Sequence, residues 1–142
     1  MEPGSAVTRL ESDGDERLVP LRRRLGVSSL GLNQIVLQPG QRGRVHRHKT
    51  QEEVYLVLKG VLTLLIEGEA LELGADQLVR VAPELRRQLV NRGPEPLSLL
   101  AIGGAGEHHG RDGEAFSSWE DTLGASPPEI PLPPDLGPGE RL

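Results

Sequence analysis

The stretch GQRGRVHRHKTQEEVYLVLKG, residues 40–60, contains two of the four histidines of the chain, at positions 46 and 48. Alternate residues of a β-strand lie on the same face, so His46 and His48 point in one direction. If the turn at 49–51 pairs this strand with the next, the histidines and Glu53 converge inside a closed sheet. Two imidazoles and one carboxylate form a facial triad, which leaves metal positions open to water or substrate.

Short apolar runs separated by turn signals continue on both sides of this stretch. Residues 30–40 alternate in polarity until a Pro-Gly pair stops the pattern. Residues 61–74 predict two strands around a turn at 67–69. Three more strands are expected at 77–83, 86–91 and 97–104. Many short strands at this spacing predict an all-β fold, either a sandwich or a barrel.

The two ends of the chain differ from this central region. Residues 1–16 are polar and acidic, and we expect a flexible N-terminus. The barrel is predicted over 17–110, and it starts with an edge strand over 17–23 because Pro20 excludes a central one. Phe116, Trp119 and Leu123 share one helical face, which predicts a short helix over 111–124 packed on the barrel. The tail, 125–142, holds six of the twelve prolines, so we expect it to be extended and either mobile or wrapped over a surface.

Composition excludes several classes of function. The chain has 142 residues, a formal net charge of −5 and no cysteine, so disulfides, thiol nucleophiles and cysteine-ligated clusters are ruled out. The acidic balance and the presence of a single Phe, Trp and Tyr argue against a nucleic-acid partner. No apolar run has the length of a membrane span, and no signal peptide is apparent. We therefore expect a cytoplasmic protein without a membrane partner.

The residues of the opening stretch resemble the first motif of the cupins. That motif is glycine, five residues, HxH, three or four residues, glutamate, six residues, glycine. Every position is matched here, by Gly40, His46, His48, Glu53 and Gly60. The resemblance covers residues 30–104 and implies a jelly-roll-like β-barrel of two packed antiparallel sheets, often dimeric. It also implies a divalent metal, with Mn, Fe, Ni and Zn as the candidates.

The second cupin motif is only partly matched. Gly74, Pro83 and Asn91 are recognisable, but Gln88 occupies the position of the expected third histidine and Asn91 comes one residue early. The predicted metal ligands are therefore His46, His48, Glu53 and Gln88, the last being an amide that suits Mn²⁺ or Fe²⁺ better than Zn²⁺. Gln88 has a second interpretation, in which it hydrogen-bonds a water or a histidine and does not touch the metal.

Function is predicted only as a class. One hypothesis is a metal-dependent enzyme of dioxygenase, isomerase or decarboxylase type, acting on a small organic acid, sugar or phenolic. Tyr55, inward by parity, and Arg86, on the face predicted for Gln88, are candidates to orient substrate. The alternative is a non-catalytic module that binds or senses a small ligand. A homodimer is expected because edge strands need covering, and the cluster Glu107-His108-His109 is expected in an exposed loop.

Overall fold

Ten β-strands form two five-stranded antiparallel sheets in a computed structural model of the chain, which describes residues 4–12, 16–104 and 112–141. The strands are β1 (Leu18–Val19), β2 (Gly31–Leu37), β3 (Val45–His48), β4 (Glu52–Lys59), β5 (Leu62–Ile66), β6 (Glu69–Leu73), β7 (Leu78–Val81), β8 (Arg87–Val90), β9 (Leu97–Gly104) and β10 (Gly113–Phe116). The first sheet has the order β1-β2-β9-β4-β7 and the second the order β10-β3-β8-β5-β6. The predicted all-β barrel of two packed sheets is confirmed.

The core lies between the two sheets, because alternate residues of each strand turn apolar side chains to the same side. In β9 every second residue is buried, and Leu99 and Ala101 pair across the ladder with Val57 and Tyr55 of β4. From the second sheet, Leu62, Leu64 and Leu89 join the same cluster. Tyr55 therefore faces inward, as predicted from its position in the strand.

Two turns contain a glycine that other residues would replace poorly. The hairpin between β5 and β6 turns at Glu67 and Gly68, whose φ angles are 49° and 84°, the positive pair that a type I′ turn requires. Gly60 follows β4 with φ 83°, and a Cβ at this position would collide with the carbonyl oxygen of Pro96. The last glycine of the opening stretch is thus required by the close approach of another chain segment.

The predicted edge strand over 17–23 is largely wrong. Only Leu18–Val19 pairs with β2, and the chain then forms the short helix α1 (Leu21–Leu25). Proline lacks an N–H, so the ladder stops after Val19, and the buried side chain of Leu21 anchors the helix. Gly26 ends the helix in the left-handed conformation. This helix contains three consecutive arginines, of which Arg22 and Arg23 line the cavity described below.

The helix predicted over 111–124 is also wrong. Gly113–Phe116 forms β10, which pairs with β3 so that Ala115 lies opposite His46. Residues 117–124 are turns and irregular chain, and Leu123 is 89% exposed, so the three residues do not form a helical face. The ladder with β3 satisfies the backbone groups of 113–116, and this tertiary pairing outweighs the local 3.6-residue pattern.

Both chain ends make defined contacts with the barrel where the structure describes them. The backbone N–H of Glu11 donates to Gln34 Oε1 at 2.8 Å, so this part of the predicted flexible N-terminus is held against β2. The Pro-rich tail lies on the surface, where Arg44 Nε donates to the Ile130 carbonyl at 2.6 Å and Leu136 N donates to the Gly40 carbonyl at 2.7 Å. Among the described residues, none of the helices has the length and apolar character to span a membrane.

Candidate metal centre

Three side chains from two strands converge on one point inside the barrel. His46 and His48 lie on the inner face of β3, and Glu53 lies on the inner face of β4. Glu53 Oε1 is 3.7 Å from His46 Nε2, and Glu53 Oε2 is 3.5 Å from His48 Nε2. Ligand atoms of the three residues all lie within 4.8 Å of one another. The predicted convergence is therefore present, but the expected pairing of the two strands through the turn at 49–51 is wrong, because β3 and β4 belong to different sheets and their side chains meet across the core.

Each imidazole has its second nitrogen directed at a protein oxygen. His46 Nδ1 lies 3.1 Å from the Arg44 carbonyl, which can only accept, so this nitrogen carries the proton. In the neutral imidazole the lone pair of His46 is then on Nε2, which faces Glu53. His48 Nδ1 lies 3.5 Å from Asp112 Oδ2. An oxygen partner of this kind orients the His46 ring to offer Nε2, whereas His48 Nδ1 lies near Asp112 without a hydrogen bond among the described residues.

Asp112 supports the site by holding the turn between β3 and β4. Its carboxylate accepts hydrogen bonds from the backbone N–H groups of Lys49, Thr50 and Gln51, at 2.8 to 3.0 Å. Burial acts to raise the pKa of Asp112, but the N–H groups of Gln51 and Thr50 outweigh it and lower that pKa. This residue was not predicted from the sequence, because nothing in the local pattern places position 112 beside a turn 61 to 63 residues earlier.

Arg87 is the second site residue that the sequence analysis missed. Its side chain is fully buried, and its Nη2 donates to Glu53 Oε1 at 3.2 Å. Nη1 donates to the carbonyls of Pro83 and Leu85 at 3.1 and 2.6 Å. Tyr55 Oη also donates to Glu53 Oε1. One oxygen of Glu53 is thus engaged by two protein donors, and Oε2 is left facing His48.

Electrostatics keep Glu53 charged and Tyr55 neutral. Burial acts to raise the pKa of Glu53, but His46 and His48 outweigh it and hold that pKa well below its usual range. Burial raises the pKa of Tyr55 well above its usual range, and the negative charge of Glu53 adds to this effect. Glu53 is therefore available as an anionic ligand, and Tyr55 stays a hydrogen-bond donor.

Gln88 does not join this cluster, and the prediction that it is a ligand is wrong. Its Nε2 donates to the Gly43 carbonyl at 2.9 Å, and its Oε1 accepts a bond from Trp119 Nε1 at 3.1 Å. These partners lie on the outer face of the second sheet. In β8 the inward residues are Arg87 and Leu89, so Gln88 points outward.

Arg86 shares the outer face, so its predicted contact with substrate inside the barrel is wrong as well. It pairs with Glu67 at 3.3 Å and donates to the Trp119 carbonyl at 3.1 Å. The sequence did hold a signal for the correct register. In the second motif, three residues separate the ligand position from the asparagine. Counting back from Asn91 therefore places the ligand position at 87. Arginine has no lone pair to offer a metal, so the described residues supply three protein ligands at this point.

A cavity of about 560 Å³ leads from the triad to the rim of the barrel. Its lining includes His48 and Glu53 of the triad, Asn33 of β2, and Arg22 and Arg23 of α1. A volume of this size accommodates a small organic molecule beside the triad. The predicted loop cluster Glu107-His108-His109 falls outside the described residues.

The Cupin domain family matches residues 33–103, half of the chain. With the two packed sheets and the HxH and glutamate at their junction, this match shows that the protein belongs to the cupin family.

Individual proteins are similar over a smaller range. A protein called polyketide synthase CurC from Streptomyces cyaneus is 30% identical over 87 residues, which cover 61% of this chain and 56% of that protein. A cupin protein from Bacteroides fragilis is 29% identical with a TM-score of 0.59, covering 72% of this chain and 88% of the other. A putative sugar phosphate isomerase from Acidithiobacillus ferrooxidans is 27% identical with a TM-score of 0.56, covering 61% and 56%. The chain spans about half the length of the curated relatives it matches.

Proposed function

We propose that the protein binds one divalent metal ion through His46, His48 and Glu53 and acts on a small polar molecule held beside it in the cavity. The observation that carries this proposal is the convergence of three ligand atoms within 4.8 Å at the inner end of a cavity of about 560 Å³. Mn, Fe, Ni and Zn all suit two imidazoles and a carboxylate.

The donor set fits such an ion. Both histidines present Nε2, each with Nδ1 directed at an oxygen, and Glu53 is anionic with one oxygen free of protein donors among the described residues. Three protein ligands leave coordination positions open, which is typical of catalytic sites. A bound ion would supply Lewis acid chemistry, polarising a hydroxyl or carbonyl oxygen of the substrate.

The chain's own residues would orient that centre. Arg87 and Tyr55 hold Glu53 Oε1 in place, so that Oε2 keeps a fixed direction. Asp112 fixes the turn that sets β3 against β4. The similarity to a putative sugar phosphate isomerase supports an isomerase-type reaction on a small hydroxylated or phosphorylated compound.

A non-catalytic ligand-binding module is the second candidate. Tyr55 favours this second candidate. Its hydroxyl is buried and bonded to Glu53, and its pKa is raised, so this group does not serve in proton transfer. Such a module would hold the same class of molecule without turning it over.

Metal analysis of the purified protein tests the proposal. We expect about one ion per chain in the wild type, and a loss of about tenfold or more in His48→Ala, because removing one of three ligands destroys the chelate. The matched control is Arg47→Gln, since Arg47 lies between the two histidines but pairs with Glu114 on the other face. Its metal content should equal that of the wild type. A wild type that stays metal-free after incubation with each of Mn²⁺, Fe²⁺, Ni²⁺ and Zn²⁺ would contradict the proposal.

A further inference from the structure

We infer that Arg22 of α1 is an oxyanion-binding residue, and that the molecule in the cavity carries a carboxylate or phosphate group that this arginine binds. The inference rests on the proposed function only for the idea that a small molecule enters the cavity. It adds the charge of that molecule and the residue that recognises it.

Arg22 borders the same cavity as His48 and Glu53. Its Nε is buried from solvent, and within the described part of the chain it has no hydrogen-bond partner. Arg24 of the same helix differs, because its Nη1 pairs with Glu11 at 2.9 Å. One arginine of this helix is thus satisfied on the surface, whereas Arg22, which lines the cavity, keeps a buried Nε–H that has no partner among the described residues.

Among the described residues, no acidic side chain along the cavity forms an ion pair with the Arg22 guanidinium. Glu53 is engaged by Arg87 and the two histidines. Asp112 is engaged by three backbone N–H groups. Glu16 also borders the cavity, but it is exposed at the rim and makes no ion pair with Arg22. Arg23, which also borders the cavity, adds a further positive charge to that side.

A guanidinium is suited to oxyanions because Nε–H and one Nη–H form a planar fork that matches two oxygens of a carboxylate or phosphate. A buried N–H without a partner is costly, and an oxyanion would satisfy it with a charge-assisted bond. A molecule with such a group at Arg22 would extend along the cavity toward His48. The cavity therefore selects for a small anion with a polar group at its other end.

The test is a titration of the ¹⁵N-labelled full chain, stripped of metal, with inorganic phosphate and with acetate, followed by NMR. We expect saturable binding of at least one of them, weakened about fivefold or more in Arg22→Gln because the fork is lost. Arg24→Gln is the matched control, and its affinity should stay within about twofold of the wild type. The anion that saturates identifies the group, phosphate or carboxylate.

Two further arms keep the result interpretable. Arg22→Lys keeps the charge but not the fork, so it should bind more weakly than the wild type even if Arg22→Gln is poorly folded. His48→Ala removes a metal ligand and should retain anion binding that depends on Arg22, which separates this inference from the proposed metal site. Wild-type protein that binds neither anion, or Arg22 variants with wild-type affinity, would overturn the inference.

Discussion

The two faces of β8 show how neighbouring residues acquire different roles. On the inner face, fully buried Arg87 pairs with Glu53 at 3.2 Å beside an open cavity. On the outer face, Arg86 and Gln88 pack against Trp119, which follows β10. Both faces are polar, and both contain an arginine bonded to a glutamate.

The two faces differ in whether their polar atoms are already bonded to protein partners. On the outer face, both polar atoms of the Gln88 amide have protein partners, and Arg86 bonds Glu67 and two backbone carbonyls. On the inner face, Glu53 Oε1 lies 3.7 Å from His46 Nε2 and Oε2 lies 3.5 Å from His48 Nε2; Oε1 also accepts from Arg87 and Tyr55, whereas Oε2 accepts from neither. A polar cluster that satisfies itself stabilises the fold, whereas one with free ligand atoms around a common point can bind an ion.

Replacing the inner arginine should have the largest effect on stability. Arg87→Leu leaves Glu53 buried beside an apolar side chain, and breaking a buried ion pair costs about 3 to 5 kcal/mol of unfolding free energy. The matched change on the outer face, Arg86→Leu, removes partly exposed bonds and should cost only about 1 kcal/mol. Urea denaturation of both variants measures the two values. Equal losses of unfolding free energy in the two variants would show that the difference in burial between Arg87 and Arg86 does not determine their contributions to stability.

Gln88→Ala should affect stability moderately and metal binding hardly at all. It removes the bonds to Gly43 and Trp119, which together contribute about 1 to 2 kcal/mol. Metal affinity should stay within about twofold of the wild type, because Gln88 points away from the triad. Trp119→Phe, which deletes the other partner of one bond, should cost about 1 kcal/mol and serves as the control. A metal affinity of Gln88→Ala that is tenfold lower than that of the wild type would indicate that Gln88 is a metal ligand.

The smallest effect is expected at Asp121, beside the outer cluster. Hydrogen bonds from the backbone N–H groups of Ser117 and Leu123 lower the pKa of Asp121 from its usual 3.8. Since the folded state has the lower pKa, the charged form contributes stability above about pH 4, and that contribution is lost as the pH falls through 3.8 and below.

Thermal melts at several pH values test this expectation. Asp121→Asn should melt slightly below the wild type at pH 7, and the two melting temperatures should approach each other near pH 3. Glu120→Gln, at the adjacent position, is the control and should show a smaller difference across the range. A gap between Asp121→Asn and the wild type that widens at low pH would contradict the assigned direction.

Much of the site followed from local spacing. The i, i+2 arrangement of His46 and His48 puts both side chains on one face of a strand, and Glu53 follows at the start of the next one. Inward Tyr55 follows from the same parity. The shared face of the histidines and the inward direction of Tyr55 held because they depend on the geometry of single strands, whereas Glu53 meets the histidines through the packing of the two sheets.

The errors came from contacts between distant segments. The spacing of the second motif predicted an inward side chain at position 88. Asn91 stands one residue early in that motif, and a shift of one residue exchanges the inner and outer faces for residues 86, 87 and 88. The helix expected at 111–124 became β10 because β3 has a free edge there. Asp112 reached His48 through that same pairing.

The sequence by itself determined the strand periods, the turn at 67–69 and the shared face of the two histidines, because each depends on residues a few positions apart. Only the tertiary structure decided that Arg87 clamps Glu53, that Asp112 supports His48, and that α1 brings Arg22 to the cavity. The physical reason is that side-chain periodicity is a property of one strand, whereas strand register and the neighbours across the barrel are set by packing of the whole core.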